Sequence, residues 1–124
     1  MGSFYNRIEK ICEKDRRYKA DSYEFVMQAL NYTQSSLKKK GHVSGGELLE
    51  GIRKYGMEQF GPLAKTVFEH WGVRETEDFG EIVFQLVDNK ILNKTDGDSI
   101  DDFRSVYNFE DVFKDDITDA GALK

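Results

Sequence analysis

The most constraining feature of this chain is the helix start at Ser44. Glu47 follows three residues later, so each side chain can close on the other's backbone N–H, a capping box. Val43 precedes the box and Leu48 follows it, at the two positions of a hydrophobic staple. Leu48, Leu49, Ile52, Tyr55 and Phe60 then continue one apolar face at helical spacing. A capped helix with one apolar face must bury that face against other elements. Gly51 and Gly56 lie on it although each costs about 1 kcal/mol relative to Ala, which predicts close approach of a neighbouring backbone. Gly61-Pro62 stops this helix and starts the next, with Pro62 at the first helical position.

The flanking segments carry the same periodicity. Phe4, Ile8 and Ile11 predict a short amphipathic helix over residues 4–14, interrupted by the charged run DRRYKAD. Asp21 or Ser22 then caps a second helix with Tyr23, Val26, Met27, Leu30 and Leu37 on one face. It ends in Lys38-Lys39-Lys40, cations at the negative end of the dipole, with Gly41 as the residue beyond the cap. Beyond Pro62, Leu63, Val67, Phe68 and Trp71 form a buried stripe that ends at Gly72. Thr76 or Asp78 caps a further helix, Asp78 and Glu81 having capping-box spacing. Its run FGEIVFQLVDNKI is apolar on more than one face, which predicts the central and most buried helix.

After residue 91 the pattern changes. Leu92–Thr95 and the β-prone Phe103, Val106, Tyr107 and Phe109 flank a polar connection at Asp96-Gly97-Asp98, which predicts a hairpin, with a helical start at Ser99 as the alternative for the second segment. A last helix covers Phe109 to Phe113. The expected fold is therefore α+β and mainly helical: four or five helices with a small C-terminal β-hairpin, in an element order like that of a winged helix. One domain is expected over residues 1–124, with its core at about 4–113 and a flexible acidic tail over 114–124. Trp71, Phe68, Ile82, Val83, Leu86 and Leu49 are the expected core.

Composition supports a folded chain: Leu, Ile, Val and Phe number 32 of 124 residues, above the one-fifth level at which charged chains stay disordered. No apolar run is long enough to span a bilayer, and no signal-peptide h-region follows the N-terminus. The single Cys12 excludes an internal disulfide and a four-cysteine zinc site, which with the missing targeting signals suits a reducing cytoplasm. Residues 1–60 carry 11 Lys/Arg and 8 Asp/Glu, whereas residues 61–124 carry 7 and 15. The net charge of −5 repels phosphate at long range, and the asymmetry suits self-association at least as well as nucleic acid.

Motifs that carry chemistry are not found. His42 and His70 have no metal-ligand partner at helical spacing, and neither HExxH nor CxxC occurs. Asp96, Asp98, Asp101 and Asp102 suggest calcium, but no frame supplies the EF-hand ligands; starting at Asn93 puts Gly97 at position 5 instead of 6. GHVSGG lacks the Lys-Ser/Thr of a phosphate loop, and Ser44 fails the nucleophile-elbow spacing. No cofactor or metal is expected, and no catalytic constellation.

The stretches Gly61-Pro62-Leu63-Ala64, Trp71-Gly72-Val73, Asp78-Phe79-Gly80-Glu81-Ile82-Val83-Phe84 and Val106-Tyr107-Asn108-Phe109 together resemble a family of small bacterial proteins. These are conserved hypothetical proteins of the planctomycete and verrucomicrobial type, and the resemblance covers roughly residues 18–113. It implies a class of protein and no activity, cofactor or catalytic residue.

Two functions remain in view. The favoured one is a non-catalytic protein-interaction or regulatory adaptor, binding an unknown protein partner or a second copy as a homodimer. The alternative is a winged-helix-like nucleic-acid binder that uses Arg16, Arg17, Lys38, Lys39 and Lys40. Five cations make at most about five phosphate contacts, a salt slope near −4.5 on duplex DNA. They stand against 23 acidic side chains, many of them where a wing would meet the backbone.

Overall fold

Ser44 caps the helix Gly45–Phe60 as its spacing predicts. Its hydroxyl accepts from the Glu47 N–H at 3.1 Å, and the Glu47 carboxylate accepts from the Ser44 N–H at 2.9 Å. The structure is a computed structural model that describes residues 2–38, 41–93 and 99–113. Its framework is five helices: α1 Gly2–Lys14, α2 Ala20–Leu37, α3 Gly45–Phe60, α4 Ala64–His70 and α5 Thr76–Asp88. A sixth, α6 Phe109–Val112, is a single turn; 3-10 turns at Gly61–Leu63 and Ile100–Phe103 complete the described elements.

α2 is packed against α3 and α5, with α1 also resting on it. The core is mostly aromatic. Phe68 of α4 is fully buried, its ring centroid 5.2 Å from Phe25, 5.3 Å from Phe79 and 5.2 Å from Phe113. One ring thus joins α2, α4, α5 and the end of α6, in the tilted and edge-on geometries that aromatic quadrupoles favour. Trp71, Phe68, Leu49, Ile82 and Leu86 are buried as expected. Val83 is only half-buried, because it lines a cavity instead of the core.

The expected hairpin is not formed. Among the described residues there is no β-strand, so the fold is mainly helical and not α+β, and it has no wing. The turn at Asp96-Gly97-Asp98 lies outside the described residues. Of the β-prone residues that follow it, Phe103 and Phe109 are buried anchors, as is Phe113 beyond them. The backbone between is held by the side chains of Thr76 and Asn108 besides local turn bonds. Thr76 is the chief partner, its buried hydroxyl donating to the Phe103 carbonyl at 2.5 Å and accepting from the Val106 N–H at 3.2 Å. A two-stranded hairpin is marginal by itself; burying three aromatic rings is the stronger demand. The sharp path needs Ser105 at φ 50°.

Several boundaries also shift. α2 begins at Ala20 after Lys19, and Ser22 donates back to the Lys19 carbonyl at 2.7 Å instead of capping. It ends at Leu37, with Lys38 in the left-handed conformation at φ 56°, so Gly41 is not the residue beyond the cap. The α5 box is formed by Glu75 and Asp78, not by Asp78 and Glu81. Pro62 lies in the 3-10 turn before α4, and Leu63 is 61% exposed where a buried stripe was expected. Gly51 and Gly56 do mark close approaches, but of side chains: a Cβ would meet the Thr33 hydroxyl at Gly51 and the Phe68 ring at Gly56.

Candidate functional site

Phe103 sits against two helices whose glycines admit it. A Cβ at Gly45 of α3 would lie 3.0 Å from the ring, and one at Gly80 of α5 would lie 2.7 Å from Phe103 Cβ. Held between them, Phe103 forms one wall of a cavity of about 300 Å³. Leu30 of α2, Leu48 of α3, and Val83, Phe84 and Val87 of α5 supply the others. Val43 and Leu92 also line the cavity, and the polar lining is Gln34, His42 and Asn93 together with Gly41 and Gly45. Gln34 is fixed there by donating its amide N–H to the Gly41 carbonyl at 3.0 Å.

α5 is apolar on more than one face because it serves two surfaces. Ile82 and Leu86 turn into the core, whereas Val83, Phe84 and Val87 line the cavity and stay half-buried. The Phe84 and Phe103 rings meet nearly edge-on, centroids 6.1 Å apart. Such a lining buries apolar surface well and offers no acid, base or nucleophile beyond His42. Two other concavities are less suited to selective binding. A polar cleft of about 440 Å³ is edged by Lys65, Glu69, Arg74, Glu75 and Glu110, charges of both signs that largely answer one another; Lys65 and Glu69 pair at 2.9 Å. A groove of about 280 Å³ between α2 and α3 runs over Gly46 and Gly51.

Among the described residues, the basic side chains singled out in the sequence do not converge. Arg16 and Arg17 precede α2 and Lys38 follows it, so 18 helical residues, about 27 Å, separate them. Lys39 and Lys40 lie outside the described residues. Arg17 is already engaged: it bonds the Asp15 carboxylate at 2.7 Å, approaches Glu81 at 3.6 Å and stacks over Tyr18 at 5.1 Å. The guanidinium holds the Asp15 carboxyl below the usual carboxylate range, with a further bond from Gln85 at 3.0 Å.

These groups latch the 15–19 segment onto α5. Tyr18 is buried and donates to Asp78 at 2.6 Å; burial, then that carboxylate, pushes its phenol well above its ordinary value. Tyr23 next to them is fully buried, and its hydroxyl has no hydrogen-bond partner among the described residues. Cys12 is half-buried on α1 and its thiol leans on the Tyr18 carbonyl at 3.7 Å. Burial, followed by Asp15 and Glu9, raises its pKa, the opposite of an activated nucleophile.

Among the described residues no three His, Cys, Asp or Glu side chains gather to hold a metal ion, and no helix is long and apolar enough to cross a membrane. Asp96 and Asp98 of the acidic turn lie outside those residues. The cavity is not predicted from the sequence, which marks α5 as the central, most buried helix and Val83 as part of the core. The signal was there in its excess of apolar positions over what one buried face accommodates. No family model, curated protein or solved structure matches the chain.

Proposed function

We propose that this protein is a non-catalytic interaction domain that binds a partner protein by taking an apolar group into the cavity between α2, α3 and α5. The supporting observation is the lining: eight apolar side chains against three polar ones, at a volume suited to a side chain. A pocket of this kind gives binding energy through desolvation, and buried anchors carry most of the affinity of an interface. The bacterial, cytoplasmic setting suggested by the sequence belongs to the same proposal.

Nucleic acid is the weaker use of this surface. Of its candidate cations, Arg16 and Arg17 stand about 27 Å from Lys38 along α2, and Arg17 is paired with Asp15 and Glu81. The test is a photo-crosslinking residue at Val87, on the cavity lining, in cells of the native host. A partner captured by that protein and lost when Val83→Trp fills the cavity supports the proposal. Micromolar binding to duplex DNA at low salt that vanishes when Lys38, Lys39 and Lys40 become Glu would overturn it. A crosslinked product consisting only of a second copy would make the partner the chain itself.

A further inference from the structure

Building on that function, we infer that the cavity's occupant is one uncharged aromatic side chain of the partner, of the size of an indole. Three observations converge on this chemistry. The first is volume. An apolar cavity of about 150 Å³ holds benzene, and this one has about 300 Å³. A fused pair of rings fills it, whereas a leucine or valine side chain leaves much of it empty, with the loss of contacts that a void imposes.

The second is the wall. Phe84 and Phe103 both line the cavity and stand 78° apart, so a ring inserted beside them meets one face and one edge. Those are the two arrangements in which aromatic pairs attract beyond area burial. The third is polarity: among the described lining residues there is no Lys, Arg, Asp or Glu, so a charged side chain would find no counter-ion among them to offset its lost hydration. The side-chain amides of Gln34 and Asn93 instead bring uncharged polar atoms that suit an indole N–H or a peptide group.

The experiment follows the methyl resonances of Leu30, Val83 and Val87 during titration with N-acetyl-tryptophan amide, N-acetyl-leucine amide, N-acetyl-lysine amide and free indole. The expected result is millimolar binding of the tryptophan amide, at least fivefold tighter than the leucine amide, with no response to the lysine amide. Val83→Trp and, separately, Val87→Phe should each weaken it at least tenfold while keeping the helical circular dichroism of the parent. Leucine amide binding as tightly as tryptophan amide would overturn the aromatic assignment and leave the apolar interaction site standing. Free indole binding a hundredfold tighter than the amide would mean that the peptide backbone is rejected, which overturns a partner side chain in favour of a small molecule. No methyl response to any of the four would overturn both the occupant and the interaction site.

Discussion

Gly51→Ala places a methyl group where α2 and α3 touch most closely. An added Cβ would lie 1.7 Å from the Thr33 hydroxyl oxygen and 2.9 Å from Thr33 Cβ. Thr33 is 3% exposed, and its hydroxyl donates to the Ala29 carbonyl at 2.7 Å, so it has no free direction in which to turn. Forcing the contact apart costs about 1–3 kcal/mol as overpacking. Breaking the Thr33 hydroxyl bond adds about 1 kcal/mol. The better helix propensity of Ala returns about 1 kcal/mol. The expected net is about 2 kcal/mol of destabilisation, a fall of roughly 6–8 °C in Tm for a chain of this size. Thr33→Ala removes the hydroxyl and the methyl but keeps Cβ, so the double variant should recover about 1–2 kcal/mol relative to the sum of the singles. Urea unfolding of all four proteins, followed by circular dichroism and by Trp71 fluorescence, measures the cycle. A Gly51→Ala protein as stable as the parent, or singles that add within about 0.5 kcal/mol, would refute this account of the α2–α3 contact.

Thr76→Val should cost about 2–3 kcal/mol in urea unfolding, because it leaves the Phe103 carbonyl and the Val106 N–H without their partner; Thr76→Ser should stay close to the parent. Asp15 has its folded pKa lowered by Arg17, so its stabilisation is present above the ordinary carboxylate value and is lost as pH falls through the folded one. Asp15→Asn should therefore flatten the acid limb of a stability–pH curve, by less than about 1 kcal/mol because Arg17 is half-exposed. Tyr18, Tyr23 and Tyr107 all have raised folded values, chiefly through burial. Their contribution is complete below the unfolded value near about 10 and is lost as pH rises above it. In an alkaline titration their phenolate absorbance should appear together with the loss of helical signal; smooth ionisation of all six tyrosines in the folded protein would contradict this.

The helical framework was readable because its signals are local. The Ser44–Glu47 box depends on two residues three apart, and the α3 stop depends on Gly61, which takes φ 54°. The end of α2 was misplaced by three residues because Lys38 adopts a left-handed conformation that the sequence reserves, on average, for the nearby Gly41. The C-terminal segment failed for a different reason. Phe103, Val106 and Tyr107 have strand propensity, but their environment is set by Thr76, Gly45 and Gly80, residues 23 to 58 positions away. Propensity is a weak guide where tertiary contacts decide. The same holds for the site: Arg17 read as a free cation until the fold put Glu81 beside it, and Val83 read as core until Phe103 supplied the opposite wall.

Phe103's position between two glycines has a consequence for local opening. Residues 99–113 hold little helix of their own, so their order depends on Phe103, Phe109 and Phe113 being seated and on the Thr76 clasp. Such a segment opens as a cooperative unit at a lower free energy than α2, α3 or α5. Its amides, that of Val106 in particular, should exchange with solvent well before those of the helices. Because Phe103 is also a wall of the cavity, unseating it dismantles the site. Anything held there therefore favours the closed segment by mass action, and occupancy becomes readable at a distance, as slowed exchange at Val106, a residue that does not line the cavity.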